Sequence, residues 1–235
     1  MKPLLPIAVL LALAACSPQP TEKPAEAPAA SAAAAPAAAA PKPPKADIPA
    51  GDYTLDKTHA SLTFKVSHLG FSNYTASFAD FDAKLRFDQA NAAASSLEAT
   101  IEPKSLTLPA PPPGFQKELT GPQWLDAARY PTITFKSTKI ETTGPDTGKV
   151  TGDLTLHGVT KPVTLDVTYN GGYAGHPMDP NARIGFSAKG AFKRSDFGIA
   201  YGLPAPGATM GVGDEVQVEI EAEFSGPPLK ASPAS

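Results

Sequence analysis

The sequence predicts an all-β protein whose folded part is an eight-stranded antiparallel barrel with one short helix. Three observations carry that expectation. Apolar residues recur at every second position in eight separate runs, the signature of strands with one buried face. Segments rich in turn residues, such as TTGPDTG (142–148) and NGG (170–172), divide the runs. No βαβ alternation is present, which argues against a doubly wound sheet. One sheet of eight such strands hides its edges best by closing into a barrel, with a two-sheet sandwich as the alternative.

Two segments precede the strands. Residues 1–15 place Lys2 ahead of an apolar run from Leu4 to Leu13 and end in Ala14 and Ala15, which reads as a secretory signal too short to span a bilayer as a mature helix. Leu13, Ala14, Ala15 and Cys16 together resemble a bacterial lipobox, so Cys16, the one cysteine of 235 residues, is the expected acylation site and mature N-terminus. Ordinary cleavage beside an incidental cysteine is the alternative. Ser17 after it points to a lipid-anchored, periplasm-facing place in the outer membrane. Residues 16–47 are almost wholly alanine and proline and cannot bury enough apolar surface to fold, so they form a disordered tether. The domain then spans 48–225, and 226–235 is a flexible tail.

The first strand, SLTFKVSH, puts Leu62, Phe64, Val66 and His68 on one face and Ser61, Thr63, Lys65 and Ser67 on the other. The second carries Phe81, Ala83, Leu85 and Phe87, the third Leu97, Ala99 and Ile101, the fourth Ile133 and Phe135. Val150, Gly152, Leu154 and Leu156 mark the fifth, and Val163, Leu165, Val167 and Tyr169 the sixth. Ile184, Phe186, Ala188, Gly190 and Phe192 mark the seventh, and Val216, Val218, Ile220, Ala222 and Phe224 the eighth. The helix is expected in GPQWLDAARYP (121–131), between Pro122 and Pro131, with Trp124 packing over the open edge of the barrel.

An eight-stranded barrel either fills with its own side chains or holds one slender ligand. The small residues Ala83, Ala99, Gly152, Ala188, Gly190 and Ala222 among large ones can leave a channel; the alternative is that they match bulky neighbours and the interior is solid. The candidate ligand-binding set is the inward parity: Phe64, Val66, His68, Phe81, Leu85, Ile101 and Phe135 from the first half, with Phe78 just ahead of the second strand. Leu154, Leu156, Phe186, Ala188, Phe192 and Ile220 complete it. His68 and Arg194 fall on the same parity at strand ends, where they would bind a ligand headgroup or, for Arg194, close the barrel through an ion pair with Asp56 or Asp196. His59 follows Asp56 in a turn and is expected to make a structural hydrogen bond.

Other function classes are disfavoured. The net charge of −3, without a basic run, excludes nucleic acid as an expected partner. His59, His68, His157 and His176 are scattered without metal-ligand spacing, so no metal site is expected. GFSNY and GFSAK lack the second glycine of a nucleophile elbow, and no catalytic residue is assigned. GATMGVGDE is glycine-rich but no helix follows, so it reads as a loop.

At the level of whole blocks, YTLDKTHASLTFKVSHLGFSNYTASFADFDAKLRFD resembles the opening of the YceI-like family, and RYPTITFKSTKI, VTGDLTLHGVTKPVTLDV, FKRSDFGI and VGDEVQVEIEAEF are similar to its later blocks in the same order. PAPPPG at 109–114 departs from the family's more charged segment. The resemblance implies a lipocalin-like barrel, usually periplasmic, that holds an isoprenoid or other lipid chain. The expected function is a binding protein that sequesters a polyisoprenoid, quinone-like or fatty-acid lipid without catalysis and without a required cofactor. A solid structural or interaction module on a tether is the alternative, and a lipid-modifying enzyme using His68 as base a third reading. The residues leave a homodimer open.

Replacing Cys16 by Ser is expected to move the protein from the membrane fraction to the soluble one, or to leave it unprocessed. Unchanged fractionation with normal processing would refute the lipid anchor.

Overall fold

The structure is a computed structural model that describes residues 47–228. Cys16, the signal segment, the expected tether up to residue 46 and residues 229–235 of the tail lie outside the described residues. One sheet contains β1 Gly51–His68, β2 Ser72–Phe78, β3 Phe81–Phe87, β4 Ser96–Ile101, β5 Leu106–Thr107, β6 Ile133–Thr142, β7 Thr147–Leu156, β8 Val159–Tyr173, β9 Asn181–Lys193 and β10 Val212–Pro228. The one α-helix described, α1, is Phe115–Leu119. Antiparallel ladders link β1, β3, β4, β6, β7, β8, β9 and β10 in that order, and β10 pairs back onto β1, so the sheet closes. These eight are the eight runs of alternating residues.

The two extra strands are the ends of staves that break. β2 and β3 pair with the two halves of β1 on the side away from β10, separated by Ala79 and Asp80. β5 is likewise severed from β4 by a 3-10 turn at Pro103–Ser105. The breaks lie side by side and are stitched by Ala79 N–H to Ser105 O and Glu102 N–H to Asp80 O, both 3.0 Å. The sequence shows the break as a change of parity, from Tyr74, Ala76 and Phe78 to Phe81, Ala83 and Leu85.

β1 makes a second parity change. Leu55 faces Phe224 and Ala60 faces Ala222, so five steps of β1 match two of β10 and the difference bulges outward. Tyr53 and Leu55 therefore point inward before the bulge and Leu62, Phe64 and Val66 after it. Asp56 stands in the bulge and accepts hydrogen bonds from Thr58 N–H at 3.0 Å and Thr58 Oγ1–H at 2.6 Å. Its carboxylate also pairs with Arg183 of β9, whose Nε donates to Asp179 at 2.8 Å. The Asp56–Arg183 pair thus crosses β10, the stave between them, and ties both of its neighbours. On the outer face the polar parity forms cross-strand pairs such as Lys65–Glu219 at 3.1 Å and Lys136–Glu98 at 2.8 Å.

Three expectations need correction, and one turn is absent from them. The helix is not in 121–131: that segment folds back on α1, with Leu125 N–H on Leu119 O and Ala127 N–H on Thr120 O, and Asp126 at φ 43° forbids a continuous helix. NGG is not a turn but lies inside β8, where the ladder slips between Tyr169 and Gly171. The tight turn the sequence reading missed is His157–Gly158 between β7 and β8, both at positive φ, 53° and 76°. Finally, β10 runs to Pro228, so residues 226–228 belong to a stave and not to the tail. Gly226 there lies flat against the buried Tyr53 ring, where a Cβ has no room.

Hydrogen bonds from Thr58, His59 and Arg183 hold the Asp56 carboxyl well below the usual carboxylate range. A depressed native value stabilises the fold fully above the unfolded value of about 4, and the contribution is lost as pH falls from there through the native value. Asp56→Asn is therefore expected to lower the denaturation midpoint at pH 7, with the gap to wild type narrowing steadily below about pH 4. A gap of constant size down to pH 2 would contradict this assignment.

Candidate functional site

The interior of the barrel is not solid. A cavity of about 940 Å³ runs between the two ends, within the range of small-molecule sites. All fourteen residues of the inward set line it, from Phe64, Val66 and His68 on β1 to Ile220 on β10. Between the ends its wall is aliphatic and aromatic. The charged side chains on it, Asp88, Glu118, Glu141, Asp146 and Arg194, all sit at one end or the other.

The small residues divide by role. Ala83, Ala99, Ala188 and Ala222 line the cavity and leave it volume. Gly152 and Gly190 do not: a Cβ on Gly152 would stand 2.5 Å from the Phe135 ring, and one on Gly190 2.6 Å from Leu165. The glycines seat neighbouring side chains, so the channel expected at those two positions is absent.

The end that carries α1 is built around Arg194, at the close of β9. Only 4% of the residue is exposed, yet no carboxylate among the described residues partners it, contrary to the expected pair with Asp56 or Asp196. Its guanidinium donates to four main-chain carbonyls: Gly213 at 2.8 Å, Ile199 at 2.9 Å, Tyr201 at 2.8 Å and Val212 at 2.7 Å. Its carbon lies 5.2 Å from the centre of the Trp124 ring. Burial pulls its pKa down, and the charge of Asp214 opposes that. Asp56 is free of Arg194 because the β1 bulge gives it to Arg183.

Around Arg194 the wall turns polar in a few places. The Tyr74 hydroxyl and Trp124 Nε1 are buried without hydrogen-bond partners among the described residues. Both residues line the cavity, as does the exposed His68. Trp124 packs on Tyr201 with ring centres 5.5 Å apart, and Tyr74 meets Phe115 of α1 edge-on at 6.2 Å. The sequence reading placed Trp124 over the open edge of the barrel and did not single out Tyr74. The alternation of Tyr74, Ala76 and Phe78 was the signal available for it.

The other polar candidates stand apart. His59 lies on the outer bulge, its Nδ1 3.1 Å from Asp56, which is the structural bond expected of it. Asp56, His59 and Glu223 bring one donor atom each within 4.8 Å of one another, but Asp56 is already engaged by Arg183 and Thr58. His157 packs on Tyr130 at 4.7 Å and contacts Phe197 O through Nδ1 at 3.2 Å. Nothing in the structure brings any of these residues to His68.

Comparison with known proteins agrees with this architecture. The YceI-like domain profile matches residues 53–224. A UPF0312 protein of Pseudomonas savastanoi pv. phaseolicola is 40% identical over 154 residues, covering 64% of this chain and 77% of that protein. The crystal structure of Burkholderia cenocepacia BcnA is similar with a TM-score of 0.60 and 29% identity, over 72% of this chain and 98% of that one. A polyisoprenoid binding domain from Saccharophagus degradans, implicated in plant cell wall breakdown, is similar in fold, with a TM-score of 0.54 and 16% identity over 74% of this chain and 98% of that one.

Removing the Arg194 guanidinium strands four carbonyls in a buried place. Arg194→Gln is expected to destabilise the protein by about 2 to 4 kcal/mol and to speed amide exchange selectively in residues 198–213. A loss below about 1 kcal/mol would show that solvent replaces those bonds.

Proposed function

The chain belongs to the YceI-like family, and from that premise we propose that it is a binding protein whose barrel takes up an apolar chain. The observation that carries this is the cavity of about 940 Å³ in a closed barrel, with its charged wall residues confined to the ends. Each CH₂ moved from water into such a wall contributes about 0.8 kcal/mol, so a few isoprene units supply about micromolar affinity after association costs. The cargo we propose is a polyisoprenoid, quinone-like or fatty-acid lipid, and the fold shared with a polyisoprenoid binding domain supports the first of these. The unpartnered Tyr74 hydroxyl and Trp124 indole N–H are two donors that a ligand oxygen would satisfy.

The proposal includes the anchor. A Cys16-acylated N-terminus and an alanine- and proline-rich tether would hold the barrel at the periplasmic face of the outer membrane while letting it range from the surface. It also takes binding over turnover, because the middle of the wall offers a bound chain no nucleophile and no acid–base pair.

Ala188 lines the cavity, whereas the hydroxyl of its neighbour Ser187 donates to Glu221 at 2.5 Å on the outer face. Ala188→Phe is expected to reduce the lipid that co-purifies with the protein, measured by mass spectrometry of an organic extract, at an overpacking cost of about 1 to 3 kcal/mol. Ser187→Phe is expected to leave loading unchanged. If Ala188→Phe folds and loads like wild type, the lumen is not the lipid site.

A further inference from the structure

The barrel's two ends differ in surface chemistry. Three segments at the α1 end carry no Asp, Glu, Lys or Arg, namely Val66 to Ala79, Ser105 to Gln116, and Phe197 to Gly213, while the charges of this end, Lys117, Glu118, Asp126 and Arg129, lie on α1 and the stretch after it. They form one surface. Leu69 N–H bonds Gly211 O at 2.8 Å, Gln116 Nε2 donates to Leu106 O at 2.6 Å, and Tyr74 packs on Phe115. From this surface Phe71 is 79% exposed, Met210 64% and Tyr201 48%. At the other end the loops carry Asp88, Asp146 and Asp179, and the end of β6 carries Glu141.

Exposed large apolar side chains clustered on one uncharged sector of a rim mark an interaction surface. The rim stands at the mouth of an apolar lumen, because Tyr74, Pro112 and Phe115 belong both to these segments and to the cavity wall. We propose that this end docks on a lipid bilayer, with Phe71, Met210 and Tyr201 seated in the interfacial layer and the mouth facing the hydrocarbon; this rests on the reading of the lumen as a lipid site. Desorption of a long chain into water slows roughly fourfold for each methylene exposed. A mouth held against the bilayer removes that step. Aromatic and thioether side chains suit this layer, while charges there are penalised. With a net charge of −3 the protein gains nothing from anionic headgroups, so docking should occur on zwitterionic lipid and change little with salt.

The test uses the full chain carrying Cys16→Ser, so that no acyl anchor contributes, and every variant keeps the same N-terminal segment, so that its own affinity for vesicles cancels in the comparison. Transfer of a fluorescent prenyl-chain lipid from phosphatidylcholine vesicles is timed in this parent, in Phe71→Ser/Met210→Ser, and in Met178→Ser, which removes a side chain 91% exposed in the loop between β8 and β9, away from the rim. The rim variant is expected to slow transfer by at least about tenfold, because each of the two side chains needs to leave only part of its apolar surface in water to reach that factor. Its affinity for geraniol, a short soluble prenyl alcohol, should not change, and Met178→Ser should match the parent. As a direct reading, Phe71→Trp should show blue-shifted emission on vesicles and quenching by brominated lipid.

Equal transfer rates in the rim variant, or equal slowing in Met178→Ser, would overturn the docking. So would a parent that self-associates in solution through the same two residues, because a second copy would then cover the rim. A parent that binds vesicles through Phe71 and Met210 but takes up no prenyl chain would instead overturn the lumen reading and leave the docking standing.

Discussion

Everything in this molecule depends on one ladder, the antiparallel pairing of β1 with β10. These are the first and last long strands, and without their hydrogen bonds the sheet would be open, its apolar face a slab and not a lumen. Closure joins residues more than 150 positions apart, as in the Thr63 hydroxyl bond to Glu219 O across 156 positions. Such contacts carry a large loop-closure entropy and form only when the intervening staves are in register. The bulge at residues 56–59 and the Asp56–Arg183 pair sit on this seam, and Tyr53 lies flat on Gly226 at its end. Electrostatics and packing therefore reinforce the place where closure is won or lost.

Once the barrel closes, its interior is decided by side-chain size at inward positions. Alanines at 83, 99, 188 and 222 leave the lumen open, while Phe135 packs over Gly152 and Leu165 over Gly190. The cavity exists because these two devices act in different places. Arg194 then shapes one end, tying carbonyls of the loop after β9 to those at the start of β10. An arginine suits this task better than a lysine, because its planar fork offers five donors in fixed directions.

Much of this was legible in the sequence, for a physical reason. One-face burial imposes a period of two, so the eight staves and their inward residues follow from alternation alone. What stayed hidden was whatever lacks a periodic trace. β2 escaped because the break at Ala79 and Asp80 reverses parity and imitates a turn. FQKEL is too short for a helical period, whereas the proline-bounded stretch after it had the composition of a helix and folds back on α1 instead. The partner of Asp56 lies 127 positions away and is set by closure. The acceptors of Arg194 are main-chain carbonyls, which every residue possesses and which no composition announces.

The broken staves have one more consequence. Closure removes the edges of the eight main staves, but β5, paired to β2 through only Leu106 and Thr107, has no strand on its other flank, where the Gln116 side chain caps the Leu106 carbonyl. Immediately beyond it the sequence reads Leu108, Pro109, Ala110 and then Pro111, Pro112 and Pro113. Proline has no N–H to offer a growing ladder, and its ring fixes a backbone that an incoming strand cannot mate with over any length. The proline run is thus a guard against templated aggregation, a hazard that rises with crowding, and it stands at the point where the barrel was opened to make a mouth.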